Sequence, residues 1–327
     1  MRKIGLIDVD GHNYPNLALM KISAYHKSIG DSVEWWWGMH QYDIVYMSKV
    51  FDSTYSPDIP EPVNAKTVIK GGTGYDKKLV LPDVVEHMCP DYSLYPEFTK
   101  DTAFGFLSRG CPNNCPFCGV CEKEGRVSRK VADLNEWWTG QKNIVLMDPN
   151  LLACKEHMSL LDQLAESKAW VDINQGFDAR LLTQENIHAI KRVRIKEIHF
   201  AWDLMKNSEK ILKGLNLWKK EGKKNAHGKW GTVYTLVNFN ATMEENLYRI
   251  HTLDRMGFDP YVMVYDKPNA SKEIRDLQRW CNNKFIFASC KNFEDYGKQS
   301  KDTEDPDQCS VFDTNLFYRE EQWEKRN

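Results

Sequence analysis

TAFGFLSRGCPNNCPFCGVC, residues 102–121, starts as a strand and ends as a cluster of thiols. The apolar TAFGFLS has the length and composition of a buried strand. It runs straight into Cys111, Cys115, Cys118 and Cys121. In parallel α/β architectures the loops at the carboxyl ends of strands carry the chemistry. If this strand belongs to such a sheet, the four thiols sit where an active site belongs.

The residues downstream predict that sheet. NIVLMD (143–148), AWVDINQG (169–176), IKEIHFAWD (195–203), WGTVYTLVNF (230–239) and DPYVMVYD (259–266) read as further strands. KEHMSLLDQLAES, TQENIHAIKRV, SEKILKGLNLWKKEG and TMEENLYRIHTLDRMG read as the helices between them. Thr183 is an expected N-cap, and Thr242 with Glu245 forms a capping box. Six such β-α units over residues 102–292 predict a parallel sheet curved into a partial (β/α)6 TIM-type barrel. Residues 293–327 are polar and charged and are expected to form a surface tail.

Upstream, KIGLIDV (3–9), SVEWWW (32–37), DIVYMSKVF (43–51) and KTVIKGG (66–72) read as strands. One helix, LALMKISAYHKSIG, lies between the first two and stops at Gly30. Residues 1–80 are therefore expected to form a separate open α/β sheet. The linker at 81–101, LPDVVEHMCPDYSLYPEFTKD, holds three prolines and little periodicity, which marks the boundary.

Composition narrows the function classes. The chain has 327 residues, 42% hydrophobic and 28% charged, with a net charge of −2. Such a balance gives no global basic field for nucleic acid or membrane. No apolar run approaches the ~20 residues of a membrane span, and the N-terminus lacks the pattern of a signal peptide. A cytoplasmic protein is the expectation. Its nine cysteines then read as metal ligands or buried small residues rather than as a disulfide framework. Cys89, Cys154, Cys281, Cys290 and Cys309 are scattered and read as buried.

Four readings of the clustered thiols compete. A structural zinc site splits its ligands into separated pairs, but here all four lie on one loop. A bacterial ferredoxin cluster spaces its cysteines C-x₂-C-x₂-C-x₃-C-P. Cys115, Cys118 and Cys121 match the start, yet Gly125 stands where the last cysteine belongs. A Cys115–Cys118 redox dithiol leaves Cys111 unexplained. The fourth reading takes Cys111, Cys115 and Cys118 as C-x₃-C-x₂-C, with Phe117 before the last.

That spacing resembles the radical S-adenosylmethionine superfamily. The resemblance implies a [4Fe-4S] cluster on Cys111, Cys115 and Cys118 with one open iron that chelates S-adenosylmethionine. It also implies an electron donor such as flavodoxin or ferredoxin, and a 5′-deoxyadenosyl radical acting on a substrate, small or macromolecular, that the sequence does not identify. LMDPNLL (146–152) looks like the family's second barrel strand, with Asp148 and Asn150 in place of a Gly-Glu pair near the methionine amino group. DINQGFDARLL (172–182) looks like the strand and turn near the ribose and carboxylate, offering Asn174, Gln175, Asp178 and Arg180. The later strands offer Asn238 and the backbone of Val264, and the Phe117 carbonyl is a further adenine contact. No catalytic residue is singled out.

The N-terminal third resembles a subgroup with a cobalamin-binding-like domain, flavodoxin-like (Rossmann-like) in fold. Asp10 and His12, then Ser48, then Gly71 and Gly72 follow the order of that domain's cobalamin pattern, although Pro15 and Val50 replace a glycine and a leucine. The resemblance implies either cobalamin binding, which would favour methyl transfer, or a domain that keeps the fold without cobalt. Two other classes stay open: an iron–sulfur electron carrier using Cys121 as a fourth ligand, and a partner-binding module without S-adenosylmethionine cleavage. At the end of a barrel strand, His199, Trp202 and Asp203 are candidates to face substrate or to pack. The basic loop KKEGKKNAHGK (219–229) reads as a solvated turn that would touch phosphate only if the substrate were a nucleic acid.

Overall fold

The computed structural model describes residues 1–11 and 14–299. Strands β1 (Lys3–Asp8), β2 (Ser32–Trp35), β3 (Tyr42–Ser48) and β4 (Ala65–Gly71) form a fully parallel sheet in the order β2-β1-β3-β4. Helix α1 (Leu17–Ser28) joins the first two. The Asn16 side chain caps it by accepting from the Leu19 amide, one of the donors that a helix start leaves unpaired. Leu19 and Ile22 then pack on Ile4 and Leu6.

The second half is also parallel. Its strands are β5 (Thr102–Gly105), the two-residue β6 (Ser108–Arg109) and β7 (Arg129–Lys130), β8 (Asn143–Leu146), β9 (Trp170–Ile173), β10 (Arg194–Ile195), β11 (His199–Ala201), β12 (Thr232–Val237) and β13 (Asp259–Val264). One parallel sheet runs β10-β9-β8-β5 and another β11-β12-β13, while β6 and β7 pair antiparallel. Among the described residues one isolated bridge, Phe177 to Phe200, links the two parallel sheets. Among the described residues no hydrogen bonding joins β13 to β5, so no barrel is closed.

Helices follow the strands as the alternation predicts: α2 (Val120–Glu124), α3 (His157–Ser167), α4 (Gln184–Arg192), α5 (Ser208–Glu221), α6 (Met243–Met256) and α7 (Lys272–Asn282). Thr183 and Thr242 cap α4 and α6, the second with Glu245. The apolar sides of α3, α4 and α5 bury Leu160, Leu164, Ile190 and Leu215 against Ile144, Val171 and Phe200.

Two expectations are corrected. IKEIHFAWD is two strands. Arg194 and Ile195 pair with β9, while His199–Ala201 pair with β12. The exposed pair Lys196 and Glu197 turns the chain between partners. The expected surface tail begins with a helix, Phe293–Gln299. The Phe293 ring lies 5.5 Å from Trp280, a core contact that a count of polar residues hides. The rest of the tail lies outside the described residues, as does Cys309.

The linker is stitched to both halves. Tyr95 Oη donates to Asp8 Oδ2 at 2.5 Å and Tyr92 Oη to the Trp137 carbonyl at 2.6 Å. Among the described residues no helix is long and apolar enough to cross a membrane.

Gly214 lies inside α5, where alanine normally gains about 1 kcal/mol. Here an added Cβ would fall far inside contact distance of the Ala179 carbonyl oxygen, in the turn after β9. Gly214→Ala is therefore expected to cost about 1–3 kcal/mol as overpacking, read as a lower midpoint in urea denaturation. A neutral or stabilising result would mean that α5 does not press on that turn.

Candidate metal and cofactor site

The cysteine loop is an excursion closed at its base. β6 enters it, β7 leaves it, and the Cys111 amide donates to the Gly125 carbonyl at 3.1 Å. Asp148, at the end of β8, fixes the approach. Its carboxylate accepts from the Leu107 amide at 2.8 Å, the Ser108 amide at 2.7 Å and Ser108 Oγ at 2.5 Å. The Asp148 side chain is therefore turned to the backbone just before Cys111.

Within the loop all four thiols are free. The Cys118 amide donates to the Cys115 carbonyl at 3.0 Å, forming a tight turn. Cys121 Sγ points back to the Cys111 carbonyl at 2.9 Å. That contact braces the loop. Elsewhere, Cys154, Cys281 and Cys290 are buried, as read from the sequence, while Cys89 is half-buried.

The loop reaches across the carboxyl ends of the other strands. Asn113 Nδ2 donates to Asp178 Oδ2 at 2.9 Å, after β9. The Phe117 ring meets Phe239, after β12, at 5.4 Å, and Phe239 meets Tyr265, after β13, at 4.9 Å. Asn238, in a left-handed conformation (φ 63°), donates to the Tyr265 carbonyl at 2.8 Å. Val264 pairs with Val237 beside this corner.

Asp178 is the centre of the polar network. Besides Asn113 it accepts from Asn150 Nδ2 at 3.1 Å and from Arg180 Nε and Nη2, both at 2.7 Å. Asn150 Nδ2 also lies 3.6 Å from Cys111 Sγ. Its Oδ1 is buried with no hydrogen-bond partner among the described residues. Asn174 is half-buried at the end of β9 and Gln175 is exposed; no side-chain contact brings either to the thiols.

The charges are ordered by burial. Desolvation pushes the Cys115 thiol up to about 11 and raises Cys118, and the Arg180 guanidinium pulls Cys115 back down. Arg180 is itself held charged by Asp178. Burial also pushes Asp203, just past β11, up to about 6, against the Leu236 amide and the Arg249 charge that lower it. Asp203 in turn raises Cys115 and Cys118.

Sequence reasoning missed what holds Asp203. Arg249 is fully buried and donates to the Trp202, Asp203 and Leu236 carbonyls, each at 2.8 Å, and to Asn246 Oδ1 at 2.6 Å. The signal was present: Asn246, Arg249, Ile250 and Leu253 form an i, i+3, i+4, i+7 stripe on α6, a core face with two polar members. Trp202 is a packing residue, buried with its Nε1 on Ser208 Oγ at 3.1 Å. His199 instead stacks on Tyr234 at 5.3 Å, and Tyr234 meets Tyr261 at 5.7 Å. Tyr261 and Met263 are exposed while Val262 between them is buried, so this aromatic row lies on one open face of the three strands.

The donor set fits an iron–sulfur cluster in part. Three thiols lie on one loop, Asn150 supplies an N–H toward one sulfur, and Arg180 offsets thiolate charge. Among the described residues, however, no three Cys, His, Asp or Glu side chains are gathered tightly enough to hold a metal ion as they stand.

The N-terminal set is engaged elsewhere. Asp10 is buried and accepts from the Val50 amide at 2.9 Å and the Phe51 amide at 2.7 Å. Ser48 Oγ accepts from Asn16 Nδ2 at 2.8 Å. Gly71 ends β4, and Gly72 (φ 95°) has the Lys49 carbonyl where a Cβ would stand. His12 lies outside the described residues. Of the described members, Asp10, Ser48 and Gly72 make loop-to-loop contacts, while Gly71 has open space where a Cβ would stand.

No protein-family model matches the chain, and no curated protein matches it in sequence.

Asp148 yields a test of this base. Burial pushes its carboxyl up to about 7, against its three donors. The unfolded value is about 3.9, so the stability it contributes is full below that pH and is lost as pH climbs through 7. Asp148→Asn puts an N–H against a backbone N–H and is expected to cost about 1–3 kcal/mol. The gap between wild type and variant in urea denaturation should narrow from pH 4 to pH 8. A gap that widens would show that Asp148 is folded as a stabilised anion.

Proposed function

We propose that this protein is a radical S-adenosylmethionine enzyme: a partial (β/α)6 barrel behind a flavodoxin-like domain, with a [4Fe-4S] cluster on Cys111, Cys115 and Cys118. The observation that carries the reading is Asn150. Its N–H groups face Cys111 Sγ and Asp178, while its oxygen is a buried acceptor without a donor. A buried polar atom left unpaired costs about 1–3 kcal/mol, and the α-ammonium of a bound methionine group would relieve it.

When bound, the cluster supplies one electron to S-adenosylmethionine, whose carbon–sulfur bond breaks to give methionine and a 5′-deoxyadenosyl radical. The chain's own residues do the rest. Arg180 keeps positive charge beside the thiols, and Asp178 holds it by two 2.7 Å contacts. Asn113 ties the loop to the same carboxylate, fixing the cysteines relative to β9. Phe117, Phe239 and Tyr265 form an aromatic corner suited to the flat adenine ring. The His199, Tyr234 and Tyr261 row offers an apolar face to a substrate and keeps water from a reactive carbon radical. Free thiols and an oxygen-sensitive cluster suit a reducing cytoplasm supplied by a flavodoxin or ferredoxin.

Anaerobic reconstitution with iron and sulfide followed by reduction is expected to give 5′-deoxyadenosine and methionine. Cys111→Ala, Cys115→Ala and Cys118→Ala should each fall to background, and Cys121→Ala should retain iron and activity. Equal loss in Cys121→Ala would point to a four-thiolate electron carrier, and no cleavage by wild type with a full iron complement would overturn the proposal.

Asn150→Leu tests the carrying observation separately. It should raise KM for S-adenosylmethionine about tenfold, the worth of one hydrogen bond to a charged group, with bound iron unchanged. An unchanged KM would remove Asn150 from the binding site.

A further inference from the structure

The amino ends of the same strands hold a second site. A cavity of about 390 Å³ is lined by Trp170 at the start of β9, Ile195 and Ile198 around the strand break, and Gly231 before β12. Lys196, Lys223, Lys224 and Trp230 also line it. Because the strands are parallel, this edge is opposite to the cysteine loop.

Its chemistry is one-sided. Among the described residues none of the three lysines has a carboxylate within ion-pairing distance. The nearby acids are committed elsewhere: Glu197 accepts from Thr232 Oγ1 at 2.6 Å, and Glu221 faces Lys220 at 3.5 Å and His188 at 3.9 Å. Three unmatched charges gather here on a chain whose net charge is −2. Lys224 Nζ stands 5.1 Å from the centre of the Trp230 ring.

The wall is ordered in advance. Asn225 Oδ1 accepts from the His227 amide at 3.1 Å and the Lys229 amide at 3.0 Å, which shapes the loop that carries Lys223 and Lys224. The Trp230 backbone is clamped by Gly257 at 3.1 Å and by Trp218 Nε1 at 2.8 Å. Trp170 is 44% exposed, so its ring is open to a ligand. Aromatic faces beside unpaired cations suit a flat ring that bears an anion, and the volume falls within the range of small-ligand pockets.

We infer that this cavity binds the base-and-phosphate unit of a nucleotide, free or within a single strand. The lysines take the phosphate and Trp170 and Trp230 take the base. The basic loop, read from sequence as a solvated turn, thus becomes one wall of a site. This inference is independent of the cluster chemistry at the other end.

The test uses the full-length protein, fluorescein-labelled decathymidylate and unlabelled uridine monophosphate. Anisotropy should show saturable binding whose logarithm falls against log salt with a slope of about −2, as expected for three phosphate contacts on a single strand. The triple variant Lys196→Ala, Lys223→Ala, Lys224→Ala should bind at least about tenfold more weakly, and Trp170→Ala about fivefold or more. Both variants should keep the wild-type circular dichroism spectrum and bound iron. Competition by uridine monophosphate identifies a free nucleotide unit as sufficient; strand binding without such competition identifies a strand. Absence of binding by either probe, binding indifferent to the variants, or equal competition by a polyglutamate peptide overturns the inference.

Discussion

One carboxylate holds the candidate site together. Asp178 receives donors from the cysteine loop through Asn113, from the segment after β8 through Asn150 and from its own turn through Arg180. These stretches come from three different β-α units, and parallel sheets leave such loops unconnected to one another. Burying a carboxylate costs free energy that only several good hydrogen bonds offset. The structure meets that cost with donors that also position the thiols. Removing Asp178 would therefore leave Arg180 as an uncompensated half-buried charge and release the loop at the same time.

The same accounting explains the balance of charge around the sulfurs. Desolvation raises the Cys115 and Cys118 thiols, and the Asp203 carboxyl raises them further. Arg180 is too little to support three thiolates alone. A cationic iron centre would supply the missing positive charge, since thiolate ligands are stabilised by the metal they bind.

Parts of this were legible in the sequence because they rest on local rules. The strand running into Cys111, the caps at Thr183 and Thr242, and the alternation of strands and helices each depend on neighbours within a few residues. The cysteine spacing needed no structure either. What escaped depends on partners far along the chain. Arg249 serves carbonyls 13 and more residues away, and Asn113 acts through a carboxylate 65 residues on. The split of residues 195–203 escaped for a related reason. Both halves have strand composition, and only the different registers of β9 and β12 pull them to different partners. The helix at Phe293–Gln299 was masked by its polar residues, although Phe293 docks on Trp280 and Tyr296 packs beside it.

The N-terminal domain shows how a motif can match for reasons other than its ligand. An acidic residue after β1 and a glycine after β4 would serve a cofactor at the carboxyl edge of that sheet. Here Asp10 closes the loop after β3, and Gly72 lets the chain pass against Lys49. Each is required by the sheet's own loops, so either could stand in this sequence without any cofactor. That same edge contacts the segment after the cysteines: Lys77 pairs with Glu122 at 2.8 Å, and Thr73 meets Lys123. Exposed pairs of this kind contribute at most about 1 kcal/mol, too little to lock two domains. The pairs join the edge of the first sheet to α2, while Asp148 and Asp178 hold the cysteine loop from the other side.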